Sequence, residues 1–149
     1  GYVCKLVSTG IQKDGVYSAY VQPTLFGKAE PESTIPTNYN LITFIGETSE
    51  RMSFYGQGAG RYPTAYNVVQ DLVDLTKGTG FYSPYGQKVQ VENNEKLPYY
   101  IRGGELSAFA DVVAETWGEA IVTKPIPVME VHGWLKENEG AFIAAMPNA

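Results

Sequence analysis

Three glycines fall within five residues at Gly56, Gly58 and Gly60, in the run Tyr55-Gly56-Gln57-Gly58-Ala59-Gly60-Arg61-Tyr62-Pro63-Thr64-Ala65. Glycine leaves the backbone bare, so a ligand can approach its N–H groups closely. Residues 51–55 ahead of the loop alternate like a strand. Pro63 suits the first turn of a helix, where a missing N–H costs nothing. A helix starting there presents free N–H groups and the positive end of its dipole to the loop. The chemistry on offer is a cradle for an anion or for the polar edge of a cofactor. A tight strand-to-helix turn is the plainer reading. The spacing is GxGxG rather than GxGxxG, and no acidic residue closes a following strand about 20 residues on. Arg61 can meet a phosphate with its guanidinium fork or stand as a solvated loop arginine.

Other reactive side chains are sparse. His132 is the single histidine. Glu130 lies two residues away without a second histidine or a cysteine cluster, which argues against zinc and for a helix-surface residue. Asp71 and Asp74 stand three apart on one predicted helix and read as a solvated face. Lys5 falls in a strand pattern, with a structural role expected. Trp117 and Trp134 lie on predicted helix faces as core residues. Cys4, the one cysteine, excludes an internal disulfide and fits a reducing cytoplasm; its strand position predicts a small buried hydrophobe.

The elements that must position the loop are legible from periodicity. Residues 2–9 and 16–22 read as strands joined at Lys13-Asp14-Gly15, since Asp-Gly tolerates the positive φ of a tight hairpin turn. Pro23 is expected to end the second strand. Residues 27–40 read as a long loop. Residues 41–46 form a short apolar run, expected to be a strand buried on both faces. With residues 51–55 this gives four strands, a mostly antiparallel sheet that needs a covering layer. Ala65, Val68, Val69, Leu72, Val73 and Leu75 make an apolar helical stripe over residues 63–77, a core face, with Gly78 as C-cap. Residues 78–97 read as a linker with one short strand at 88–91, anchored by Phe81, Tyr82 and Tyr85.

Beyond Pro98 the pattern is β-α-β-α-β. Strands are predicted at 98–102, 120–124 and 141–146. A helix is predicted at 106–117, on the spacing of Leu106, Phe109, Ala110, Val113 and Trp117. A second helix carries Val128, Val131 and Leu135, opened by Pro127 and closed by Gly140. The fold class is therefore α+β: a mostly antiparallel sheet with a covering helix, followed by a small β-α-β-α-β module.

The segment FYGQGAGRYPTAYNVVQDLVDL closely resembles the closing motif of the homoserine dehydrogenase catalytic domain: G-x-G-A-G, two residues, P-T-A, then a helix with V-V and D-L-V-D. Upstream, GYVCKLV, VQPTL and YNLITFIGE resemble that family's preceding strands, in the same order. The likeness covers residues 1–77 well and the remainder loosely. It implies that residues 1–77 are the C-terminal part of the catalytic domain, 78–97 a linker and 98–149 a shortened ACT-like module with one strand missing. It also implies that the family's nucleotide-binding half lies upstream of Gly1. Carried over by motif position, Gly60 lies against the nicotinamide half of NADPH or NADH, with Gly58 and Ala59 shaping the loop. No catalytic residue carries over, because the family's substrate-end lysine and aspartate match nothing here. Two departures stand out. Arg61-Tyr62 replaces the Gly-Leu of many relatives, and Arg102-Gly103-Gly104-Glu105-Leu106 replaces the ACT module's D-x-P-G entry to its first helix, which leaves threonine feedback by that turn in question.

Composition is that of a folded soluble protein. At 149 residues, 44% hydrophobic and 18% charged, the chain can hold one domain or two small ones. A net charge of −5 and a pI near 4.8 argue against nucleic-acid or anionic-membrane partners. No run approaches the roughly 18 apolar residues of a membrane span. The expected parent is a cytoplasmic homo-oligomer that interconverts aspartate semialdehyde and homoserine on the way to threonine, methionine and isoleucine. The alternatives are a small-amino-acid-sensing module and a dimerisation piece without catalysis.

Overall fold

The chain is described as a computed structural model over residues 1–79, 86 and 89–147. It forms two compact units, Gly1–Ser33 with Lys88–Ala149, and Thr34–Gln87. Phe81, Tyr82 and Tyr85, expected to anchor the linker, lie outside the described residues, as does the first residue of the predicted strand at 88–91.

The first unit is built on a long hairpin. β1 (Tyr2–Lys13) pairs antiparallel with β2 (Val16–Gly27), from Tyr2 opposite Gly27 to Lys13 opposite Val16. The two-residue turn has positive φ at both Asp14 and Gly15, the geometry whose twist matches paired strands. β2 does not stop at Pro23, which sits opposite Leu6 within the ladder. On its far side β2 meets β10 (Phe142–Ala145) at Thr24 opposite Ala145, so the proline lies where little of that edge is paired. Residues 90–93 cover the same edge further along. The Tyr17 N–H donates to Gln90 O at 3.2 Å, and the Glu92 N–H donates back to Tyr17 O at 2.7 Å. Strand alternation turns Val3, Lys5 and Val7 to the half-buried face and Cys4 and Leu6 to the other. Cys4 is therefore exposed and not the buried hydrophobe its apolar neighbours suggested.

β6 (Tyr99–Arg102), β7 (Val113–Trp117) and β8 (Ala120–Thr123) complete a six-stranded sheet in the order β1-β2-β10-β6-β8-β7. A two-stranded ribbon of β5 (Lys96–Leu97) and β9 (Ile126–Pro127) leads into α2 (Val128–Glu137). The helix predicted over 106–117 does not form. Leu106–Val112 is a 3-10 turn, and β7 follows, paired to β8 with a register shift between Val113 and Glu115. Within 106–112 Phe109 alone is buried, edge-on to Trp134 at 5.1 Å. The valine pair 112–113 and the threonine beyond it favour an extended chain once a strand edge is on offer. The strand β7 thus lay inside the segment predicted as the first helix of the β-α-β-α-β pattern. Tyr99, Ile101, Ile121 and Ile143 pack with Val128 and Val131 of α2 and with Phe109 into one core.

The second unit is β3 (Tyr39–Gly46) and β4 (Glu50–Gln57), an antiparallel hairpin, followed by α1 (Arg61–Lys77). The four early strands thus form two hairpins in separate sheets, not one sheet. Two bonds close α1, from the Gly78 N–H to Leu75 O at 3.1 Å and from the Thr79 N–H to Asp74 O at 3.0 Å. Neither β4 nor α1 buries a residue. Ile42, Phe44, Phe54, Val69 and Leu72 are each more than half exposed. β3 is therefore not buried on both faces, and the α1 stripe is not a core within this unit. Both patterns describe faces for which the unit supplies no covering layer. Among the described residues no helix is long and apolar enough to cross a membrane.

Candidate cofactor-binding loop

β4 ends at Gln57 and α1 begins at Arg61, so Gly58, Ala59 and Gly60 make the whole connection. The three sequence-predicted site residues are contiguous, and all are exposed. Gly60 is the N-cap of α1 with φ 116 and ψ 158. That backbone strains any residue with a Cβ by about 1–3 kcal/mol. Gly58 is required for a different reason: a Cβ there would collide with the side-chain amide of Asn40. The Asn38 Nδ2–H donates to Ala59 O at 3.3 Å, and Thr37 Oγ1 donates to Asn38 Oδ1 at 3.3 Å. Asn38, just before β3, thus ties the loop within its own unit, and the Asn40 amide lies close against Gly58.

At the helix start the Thr64 N–H donates to Gly60 O at 3.1 Å. The N–H groups of Arg61 and Tyr62 have no acceptor within the helix, and Pro63 has none to offer. Beside the loop lies an open groove of about 280 Å³, lined by Asn40, Ile42, Phe54, Gly56, Gln57 and Gly58 among others. It combines an apolar wall with carboxamide and backbone hydrogen-bonding groups. It holds no carboxylate, lysine, histidine or cysteine among its described lining. Such a surface can seat a flat ring and bond its polar edge, with the Tyr55 hydroxyl as the one titratable group on its described lining. The group implied by the resemblance, a nicotinamide with its carboxamide, fits this donor set and the exposed glycines.

The remaining candidates are scattered. Arg61 lies over the Tyr62 ring, 5.4 Å from its centroid. Asp74 accepts a bond from Gln70 at 3.0 Å on an exposed helix face. Lys5 is half-buried opposite Thr24. Among the described residues no three metal-ligating side chains come together. Trp134 packs against the core as expected, whereas Trp117 stands 38% exposed on the edge strand β7.

His132 is not a plain helix-surface residue. Its Nε2 lies 2.8 Å from Gln22 Oε1, which also accepts the Tyr99 hydroxyl at 3.0 Å. Burial and then the Lys136 ammonium hold the imidazole below its usual pKa. Burial pushes Tyr99 up to about 12, against the opposing effect of its Gln22 bond. This buried polar knot joins β2, β6 and α2 across 110 residues of sequence. The alternation in β2, with Ser18, Tyr20, Gln22 and Thr24 all on its buried face, was the available signal.

A family model described as homoserine dehydrogenase matches residues 1–73. A Bacillus subtilis homoserine dehydrogenase is 35% identical over 105 residues, covering 66% of this chain and 23% of that protein. A Mycobacterium leprae homoserine dehydrogenase is 36% identical over 72 residues, covering 48% of this chain and 16% of its own. The chain thus spans less than a quarter of the length of these curated relatives. Among solved structures, a homoserine dehydrogenase from Thiobacillus denitrificans superposes with a TM-score of 0.69 at 19% identity, over 98% of this chain and 42% of that one. The S. aureus homoserine dehydrogenase at pH 6.0 gives 0.57 at 21% identity, over 100% and 43%. These structural likenesses speak to the fold, an α+β arrangement with a mostly antiparallel sheet. The matched segment contains β1 to β4, the glycine loop and most of α1, and over residues 1–73 the chain matches the homoserine dehydrogenase family.

Proposed function

We propose that this chain is the C-terminal portion of an NAD(P)-dependent homoserine dehydrogenase acting in the cytoplasm between aspartate semialdehyde and homoserine, in the biosynthesis of threonine, methionine and isoleucine. The observation that carries the reading is the open Gly58-Ala59-Gly60 loop at the start of α1, inside the segment that the family model matches. When bound, the coenzyme supplies the hydride acceptor and donor. The chain's own contribution is to seat the nicotinamide end, with Gly60 against it and Gly58 and Ala59 giving the loop its shape. Residues 1–77 are the end of the catalytic domain, 78–97 a linker and 98–149 an ACT-like module. The exposed faces of the second unit await the nucleotide-binding domain and a second subunit of a homo-oligomer.

Among its described residues the groove beside the loop holds no carboxylate, lysine or histidine to take an alcohol proton, and the chain alone is expected to be inactive. The test is an assay of the full-length parent with homoserine and either NAD⁺ or NADP⁺, beside the 149-residue chain. Turnover by the parent and none by the chain is expected. A parent inert toward homoserine, or a chain that turns over alone, overturns the reading. In the parent, Gly60→Ala raises the cofactor KM about tenfold, equivalent to ~1.4 kcal/mol.

A second reading, a module that senses a small amino acid, meets a specific obstacle. The Gly103-Gly104 turn is filled from within: a Cβ at Gly104 would meet the Trp134 ring at 2.8 Å, and the Glu105 N–H donates to Asn138 Oδ1 at 2.8 Å. The turn is better suited to packing than to an effector. Calorimetry of the chain with threonine is expected to be flat.

A further inference from the structure

Within the second unit, one side chain holds the peptide between Ala59 and Gly60. The Asn38 Nδ2–H donates to Ala59 O at 3.3 Å. A carbonyl oxygen can only accept, so the end of the amide that faces it is the N–H₂ end. The Thr37 hydroxyl, donating to Asn38 Oδ1 at 3.3 Å, agrees with that orientation. Among the described residues no peptide bond is cis. In a trans peptide the C=O and the N–H point in opposite directions. Tying Ala59 O to Asn38 therefore turns the Gly60 N–H away from Asn38. Gly60 is exposed, and among the described residues its N–H meets no acceptor.

The backbone angle shows why such a hold is needed. Gly60 sits at φ 116. Turning the Ala59–Gly60 peptide over would carry that angle half a turn, to about −64°, where any residue is at ease. Glycine takes either sign of φ at similar cost, so Gly60 does not itself choose between the two orientations. The choice falls to whatever holds the carbonyl, and Asn38 is the described side chain that does. Asn38 is not among the residues that line the groove beside the loop. It is placed to act on the loop and not on a molecule in that groove.

We propose that Asn38 is a positioning residue, a latch that keeps the Ala59–Gly60 peptide turned so that the Gly60 N–H can donate to the nicotinamide end of the coenzyme. The inference rests on the proposed dehydrogenase role for the identity of that ligand. Calorimetry on the full-length parent compares the coenzyme, NAD⁺ or NADP⁺, with its adenine half, ADP-ribose or the 2′-phosphate of ADP-ribose. Asn38→Ala is expected to weaken the coenzyme about fivefold, the net contribution of one hydrogen bond, and to leave the adenine half unchanged. In turnover the coenzyme KM rises by the same factor while the homoserine KM stays at its wild-type value. Asn38→Asp keeps the shape but sets an acceptor against Ala59 O, and weakens the coenzyme about tenfold. Thr37→Val, which only loosens the amide, weakens it about twofold and keeps the test sound if an Asn38 variant fails to fold. In ¹⁵N spectra of the 149-residue chain, Asn38→Ala shifts the Gly60 amide and leaves the amides of β4 in place. A wild-type parent that binds neither the coenzyme nor its adenine half overturns the dehydrogenase reading and the latch with it. A parent that binds both, in which Asn38→Ala leaves the coenzyme unchanged or weakens both ligands equally, overturns the latch alone.

Discussion

Ile101 on β6 and Leu72 on α1 belong to equally regular apolar patterns, yet Ile101 is fully buried and Leu72 is 57% exposed. The first unit closes a core of its own because chain connectivity brings α2 and the 3-10 turn back over the face of β6, β8 and β10. The second unit has a hairpin and a helix of the same amphipathic quality and no layer over either. An apolar stripe says that a face is meant to be covered; it does not say by what. Contiguous exposed hydrophobics on this scale mark surfaces that larger assemblies bury, in keeping with a chain that spans under a quarter of its curated relatives.

The sharpest way to break this contrast is to remove the same methyl groups from both units. Ile101→Ala is expected to destabilise the first unit by about 2–5 kcal/mol, read from the denaturation midpoint by Trp117 and Trp134 fluorescence. Leu72→Ala is expected to change the chain's stability by less than about 0.5 kcal/mol. Equal effects would mean that α1 is packed after all. Gly60→Ala comes next, with about 1–3 kcal/mol of strain confined to the loop. Its signature is faster hydrogen exchange in the first turns of α1 with the β6 amides unchanged.

Smaller is Tyr99→Phe, which deletes one of two donors to Gln22 Oε1 and costs about 1 kcal/mol in urea denaturation. The smallest is a pH effect at His132. Its pKa is lowered in the folded chain, so above the unfolded value of about 6.5 both states are neutral and the group gives no slope. As pH falls through 6.5 the unfolded state takes the proton first, and stability declines until the folded value is passed. The charged and titratable neighbours in play are Lys136 and Tyr99. Comparing the wild type with His132→Gln between about pH 5 and 7.5 should remove that decline.

Much of the fold was readable along the chain. The Asp14-Gly15 turn, α2 after Pro127, the last strand, Pro63 in the first turn of α1 and Gly78 at its end all follow from residues that act locally. The glycine loop was equally plain, because a bare backbone before a helix start is a property of adjacent residues. Misreadings came where local pattern and long-range pairing competed. Residues 106–117 carry helical spacing, but β8 offered residues 113–117 a strand edge. Pro23 should end a strand, but a thinly paired edge tolerated it. Cys4 was assigned to the wrong face because alternation gives two faces without naming the buried one.

The order of amino acids alone determined the family likeness, the turn chemistry, and where a helix could start with its amides free. Tertiary structure decided which apolar faces found cover, how a strand emerged from a helical pattern, and the meeting of Gln22, Tyr99 and His132. The reason is reach: caps and turns are settled by neighbours a few residues apart, whereas burial and strand pairing are settled by partners as far as 110 residues away.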